Sequence, residues 1–149
     1  MKEILMSIQP QWVDLIMSKK KVLEIRKTFP SRQTEPFKVY IYCTKAEPIL
    51  KRKREFGKEY ILNGRVVGEF TCAGCVTFDV PYPAYQSEMN GEIIEKSCVS
   101  YMELHNYLGR RQGKGWVIED VVEYDEPKMI EEVCGWSAAP MSWGFIREK

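Results

Sequence analysis

The run RVVGEFTCAGCVTFDV, residues 65–80, constrains the fold more than any other part of the chain. Its apolar residues recur with a period near two, the spacing of a strand with one covered face, and β-branched and aromatic side chains are frequent in it. Val66, Phe70, Cys72, Val76 and Phe78 are expected on the core side, with Val67, Glu69 and Thr71 opposite. The run is long for a strand, and Gly68 and Gly74 are the places where it can bend or bulge. Long strands that bend belong to barrels.

The rest of the chain supplies shorter pieces. Ile4 to Ile8 reads as a strand, and Pro10 suits the first turn of a helix in which Trp12, Leu15 and Ile16 share one face. That helix is expected to end in Lys19, Lys20 and Lys21, where each cation complements the negative end of the helix dipole by about 0.3–1 kcal/mol. VLEIR then alternates, so Leu23 and Ile25 face one way while Val22, Glu24 and Arg26 face the other. VYIYCT, 39–44, alternates too, with Val39, Ile41 and Cys43 on one face and Tyr40 and Tyr42 on the other. KRKREFGKEY reads as a charged connection. Ser100 and Glu103 form a capping box for a helix through about Leu108, closed by Gly109. Trp116 to Tyr124 and Trp143 to Ile146 read as closing strands, with a short helical piece after Pro127. Strands with two or three short helices, without regular helical crossovers, predict an α+β domain built round a small β-barrel.

At 149 residues the chain is expected to form a single domain, 1–149. A chain of that size buries roughly 68–70% of its unfolded surface. A formal net charge of +1 excludes a protein that is basic all over, so any nucleic-acid face must be local. Charge is unevenly spread along the chain. Residues 18–38 hold seven Lys or Arg against two acids, residues 45–58 six against two, and residues 119–132 one against seven. Five scattered cysteines and an N-terminus without an apolar leader core lead to the expectation of a reducing, cytoplasmic setting. No apolar run approaches the roughly 20 residues of a membrane span.

The opening ILMSIQPQWVDLIMSKKKVLEIRKTFP resembles the start of an ASCH domain (activating signal cointegrator homology), a branch of the PUA-like superfamily. The family signature is glycine, any residue, lysine, two of any, glutamate, any, arginine. It lays Lys21, Glu24 and Arg26 on the lysine, glutamate and arginine positions, and Lys19 where glycine is usual. The similarity continues through VYIYCTK, GRVVGEFTC and WVIEDVVEYDEPK to PMSWGFI, like the family's proline-x-serine-tryptophan ending. The resemblance implies a PUA-like barrel with a cleft beside the helix that joins the first two strands. It also implies RNA as the usual ligand, with a few relatives acting as enzymes on nucleic acids or modified nucleosides.

Under the RNA-binding reading, Lys20, Lys21 and Arg26 engage phosphates while Glu24 orients the cations. Tyr40 and Tyr42 would offer stacking surfaces for unpaired bases, and Arg110, Arg111 and Lys114 of GRRQGKG would touch the backbone. The alternative is a small hydrolase. It would be either a ribonuclease or a relative of the acetylcytidine amidohydrolases, with Lys21, Glu24 and Glu69 as candidate catalytic groups. The deacylating branch carries threonine where Glu24 stands, and a carboxylate beside Lys21 blunts a lysine nucleophile. GRRQGKG lacks the spacing and the Ser or Thr of a P-loop. Cys72 and Cys75 have no second pair and the sole histidine is His105, so neither cofactor nor metal is expected.

Overall fold

β1 (Ile4–Ile8) is apolar but for Ser7 and buried along its whole length, so it takes the interior of a sheet. It pairs in parallel with β3 (Phe37–Cys43) and antiparallel with β8 (Trp143–Phe145). The computed structural model describes residues 3–31, 35–80 and 88–146. Between β1 and β3 lie α1 (Pro10–Met17) and β2 (Leu23–Arg26). Two long strands, β6 (Arg65–Phe78) and β7 (Gly113–Lys128), complete a six-stranded sheet of order β2-β7-β6-β3-β1-β8. A hairpin of β4 (Lys51–Lys53) and β5 (Glu59–Ile61) stands apart from it. α2 (Glu88–Ser97), α3 (Tyr101–Leu108) and α4 (Ile130–Cys134) bring the helices to four among the described residues, in an α+β fold.

The sheet curls because β6 carries irregularities between Val66 and Gly68, Glu69 and Thr71, and Cys72 and Cys75. These shifts change which side chains face inward. Val67, Phe70 and Cys72 enter the main core, Val66 turns to the opposite face near Ile130, and Val76 is exposed. The two-sided alternation expected from the sequence therefore fails at Val66, Val67 and Val76, since one inserted residue reverses the side of everything beyond it. Gly68 sits in this region because nothing larger fits. A Cβ there would lie 2.3 Å from the Val122 carbonyl oxygen.

The core has three parts. Inside the curl, Ile4, Met6, Ile8, Val39, Ile41 and Trp116 pack against Val13 and Ile16 of α1. Val13 takes the place expected for Leu15, which is only half-buried. α2 and α3 cover the outer face of β2 through Ile93, Leu104 and Leu108 on Leu23 and Ile25. α4 covers Leu5, Tyr42 and Val66.

α1 ends at Met17, earlier than expected, so the three lysines follow the helix and do not occupy its last turn. The Lys20 N–H donates to Leu15 and the Lys19 N–H to Ile16, both to carbonyl oxygens at 3.0 Å, in a Schellman arrangement. Lys19 takes φ +65°, the left-handed conformation that glycine adopts most easily. The Ser100–Glu103 capping box and the Gly109 stop of α3 form as expected.

Two of the sequence's charge runs meet. Arg52 donates to Asp14 (2.6 Å) and Glu123 (3.2 Å), and Arg54 donates to Glu123 (2.7 Å) and to the carbonyls of Tyr124 and Asp125. The basic stretch 45–58 is thus partly spent on clamping the hairpin to the acidic stretch 119–132, and the charge separation is smaller in space than along the chain.

Candidate ligand-binding cleft

β2 and β8 are the two edges of the curled sheet and share no ladder. Side chains from β2 and the turn after it bridge the gap instead. Arg26 Nη2 donates to the Ser7 carbonyl (2.8 Å) and Arg26 Nη1 to Ser142 Oγ (3.1 Å). The indole of Trp116 donates to the Thr28 carbonyl (3.1 Å), and that of Trp143 to Thr28 Oγ1 (3.0 Å). At this seam opens a cleft of about 450 Å³, between the start of α1, one side of α3 and the segment before β8.

Lys21, Glu24 and Arg26 line its floor. Alternation along β2 sends Leu23 and Ile25 outward under α2 and α3, and therefore turns Glu24 and Arg26 to the cleft. Glu24 is 4% exposed and serves both cations. Its Oε2 accepts from Arg26 Nη2 (2.7 Å) and Nε (3.2 Å), and its Oε1 lies 3.3 Å from Lys21 Nζ. Burial pushes the Glu24 carboxyl up, but Arg26 and Lys21 together more than offset this and hold it below the usual carboxylate range. It is ionised at neutral pH. Lys21, 1% exposed, also donates to the Ser97 carbonyl (2.5 Å) and stands 4.8 Å from the centre of the Trp12 ring.

Other groups complete the walls. Tyr107 of α3 lies at the rim with Lys27 Nζ 4.9 Å from its ring centre, and burial raises its phenol above the ordinary value. Thr44 Oγ1 is buried and has no hydrogen-bond partner among the described residues. Ser142 is held in place because the Ser7 N–H donates to its carbonyl (2.8 Å), while Ser7 Oγ donates to the Pro140 carbonyl (2.7 Å). Trp12, Tyr107, Thr44 and Ser142 escape a site search by sequence. Trp12, Thr44 and Ser142 fall within segments that carry the family resemblance, but nothing in those segments marks them as site residues, and Tyr107 carried no signal.

The remaining expected site residues lie elsewhere. Lys20 is exposed on the turn after α1 and does not line the cleft. Tyr42 packs beneath α4, and Tyr40 beside it has its phenol pushed up to about 12 by burial and by Glu3. Neither presents a face to the cleft. Glu69 lies across from Tyr40 and 3.4 Å from Lys38, so the Lys21–Glu69 pair considered for hydrolysis is not assembled. Arg110 and Arg111 are exposed on the turn after α3, and Lys114, opposite Arg26 across the ladder, donates to Thr77 Oγ1 (3.2 Å). Burial raises the Cys72 thiol to about 11, and no group of three potential metal ligands occurs among the described residues. No helix among them is long and apolar enough to cross a membrane.

No protein-family model matches the chain, and no curated protein is significantly similar to it. Solved structures do match. The crystal structure of ASCH from Zymomonas mobilis superposes with a TM-score of 0.71 at 19% identity, covering 99% of this chain and 89% of that one. Two substituted forms of that protein, one tyrosine-to-phenylalanine and one serine-to-alanine, match at 18% identity and a TM-score of 0.71. They cover 99% of this chain and 92% and 89% of theirs. The fold is therefore that of the ASCH structures, an α+β half-barrel.

Proposed function

We propose that this protein binds single-stranded RNA, with one nucleotide entering the cleft so that its phosphate meets Arg26 and Lys21. The observation that carries the reading is the buried triad: one carboxylate holds a guanidinium and an ammonium at the floor of a cleft whose walls include Trp12 and Tyr107. Pre-oriented cations lose little freedom on meeting a phosphate, and aromatic walls suit an unstacked base. The ASCH-type fold and the signature residues Lys21, Glu24 and Arg26 support RNA over other anions by resemblance. Hydrolysis has less support. The Lys21 ammonium donates to Ser97 and Glu24, Glu24 is fixed between two cations, and Glu69 is remote, so none of the three candidate catalytic groups is free to carry a proton.

The test is fluorescence anisotropy of labelled oligouridylate and of a labelled hairpin, across a salt series, with wild type and Arg26→Gln. We expect binding that weakens with salt. We also expect Arg26→Gln to lower affinity at least about tenfold and to reduce the salt slope by about 0.7, the share of one phosphate on a single strand. Equal affinity in the variant, with its circular dichroism unchanged, would refute the assignment of the ligand to this cleft.

A further inference from the structure

The cleft floor is charge-matched in an unusual way. Lys21 and Arg26 bring two positive charges, but the Glu24 carboxylate between them cancels one, leaving the triad at +1. Glu103 of α3 adds a carboxylate at the rim. The triad has few donors to spare, since Lys21 uses two of its three N–H groups on Ser97 and Glu24. Arg26 uses four of its five N–H groups on Glu24, Ser7 and Ser142, which leaves one at Nη1. The Thr44 hydroxyl, buried and without a partner among the described residues, lines the same cleft. Such a site neutralises one negative charge and offers neutral hydrogen bonds for the rest.

Resting on the RNA-binding reading, we infer that Glu24 is a specificity residue: it sets the cleft to accept the monoanionic phosphodiester inside an RNA strand and to reject the dianionic phosphomonoester of a free nucleotide or a terminal phosphate. The physical reason is desolvation. A dianion at the triad leaves its second charge without a partner in a poorly solvated cleft, facing Glu24 from below and Glu103 from the rim. A diester leaves no such charge. The protein therefore distinguishes the interior of a chain from the pool of mononucleotides without reading a base.

Uridine 5′-monophosphate and its phosphate O-methyl ester differ in little but this charge, and calorimetric titration of both into the wild-type protein tests the inference. At about pH 8 the monoester is a dianion, and the methyl ester is expected to bind at least about tenfold tighter, since the second phosphate charge must be desolvated in the cleft and gains no further cation there. At about pH 5 the monoester carries one charge, and the ratio of the two affinities is expected to fall towards one. The titratable groups facing the ligand are Lys21, Glu24 and Arg26 on the β2 side and Glu103 and Tyr107 on α3, with Lys27 over the Tyr107 ring; α1, Thr44 and the segment before β8 present none. Glu24, held below the usual carboxylate range by Arg26 and Lys21, keeps its charge from about pH 5 to about pH 8, so the change in the ratio follows the second proton of the monoester. Glu24→Gln raises the triad to +2 and is expected to reverse the preference at pH 8. Should that variant not fold, the wild-type pH series decides alone.

Equal binding of both ligands at pH 8, or tighter binding of the monoester, overturns the inference. So does RNA binding that depends on Arg26 while neither small ligand binds. If RNA fails to bind but the methyl ester is preferred at pH 8, the RNA reading falls and the charge selection stands.

Discussion

Replacing Glu24 by glutamine removes one negative charge and changes almost nothing in shape, so it isolates what the carboxylate does for the fold. In the wild type its two oxygens face three N–H donors of two cations, at 2.7, 3.2 and 3.3 Å. The amide that replaces it keeps one acceptor and turns an NH₂ group towards the other cation. Lys21 retains the Ser97 carbonyl and Arg26 retains Ser7 and Ser142, so neither is stranded completely. With Lys21 1% and Glu24 4% exposed, little water reaches the cluster, and removing one partner of a buried pair costs about 3–5 kcal/mol. That is a large part of the roughly 5–15 kcal/mol by which a domain is stable, and at about 2–4 °C per kcal/mol it lowers the melting temperature by roughly 6–20 °C. Urea unfolding followed by tryptophan fluorescence measures it, with an unchanged m-value as the check that the folded state is intact. Lys21→Met in the same chain should recover part of the loss, because it removes one of the two uncompensated charges. A loss under about 1 kcal/mol, or strictly additive effects in the double variant, would refute the argument that Glu24 is held by its two cations.

Three further outcomes are expected. Acid should reach the same carboxylate: its folded-state value lies below its unfolded one, so its stabilisation is complete above the unfolded pKa of about 4.3 and is lost as the pH falls through the folded value. The stability gap between wild type and Glu24→Gln should therefore narrow as the pH falls below about 4 in a series of urea titrations. Lys19→Gly should raise stability by about 0.5–1 kcal/mol, relief of the left-handed conformation less the extra freedom of unfolded glycine, because Lys19 is exposed and its φ is +65°. Gly68→Ala should lower it by about 1–3 kcal/mol, since the new Cβ meets the Val122 carbonyl oxygen at 2.3 Å and backbone must move; an unchanged thermal midpoint would argue against that close approach.

The sequence spoke clearest where local chemistry and final environment agree. Alternation put Glu24 and Arg26 on one face of β2, and the Ser100–Glu103 capping box gave the start of α3. It misled where one residue changes parity. The bulges of β6 exchange the faces of Val66 and Val67, and two glycines mark where that can happen without saying which side results. α2 went unseen because EMNGEIIEKS is polar, with Ile93 and Ser97 as the buried members of its second half. The cleft was half legible. Its triad falls within six consecutive residues, whereas Trp12, Thr44, Tyr107 and Ser142 come from four distant segments. Charge runs were least informative, since the basic stretch 45–58 and the acidic stretch 119–132 are separate in sequence but meet in space, where Arg52 and Arg54 are spent on Glu123 and Asp14.

The position of the cleft follows from how the sheet ends. A barrel closed by backbone hydrogen bonds leaves no edge and needs no polar side chain to join its ends. Here β2 and β8 do not pair, and the join is made by Arg26 to Ser7 and Ser142 and by Thr28 to two indoles. A guanidinium suits the task because its planar fork reaches several acceptors at once, but a cation at a poorly solvated seam needs a counter-charge, and Glu24 two residues away supplies it. The carboxylate in turn accepts a second cation, Lys21, whose ammonium ties β2 to the end of α2 through Ser97. What closes the fold is therefore a set of oriented charges with one positive charge to spare, set at the one place where the sheet leaves a gap between its edges. The ligand-binding capacity proposed for this protein is thus a by-product of closing a half-barrel with side chains, and a variant that lost Arg26 would weaken the seam together with the site.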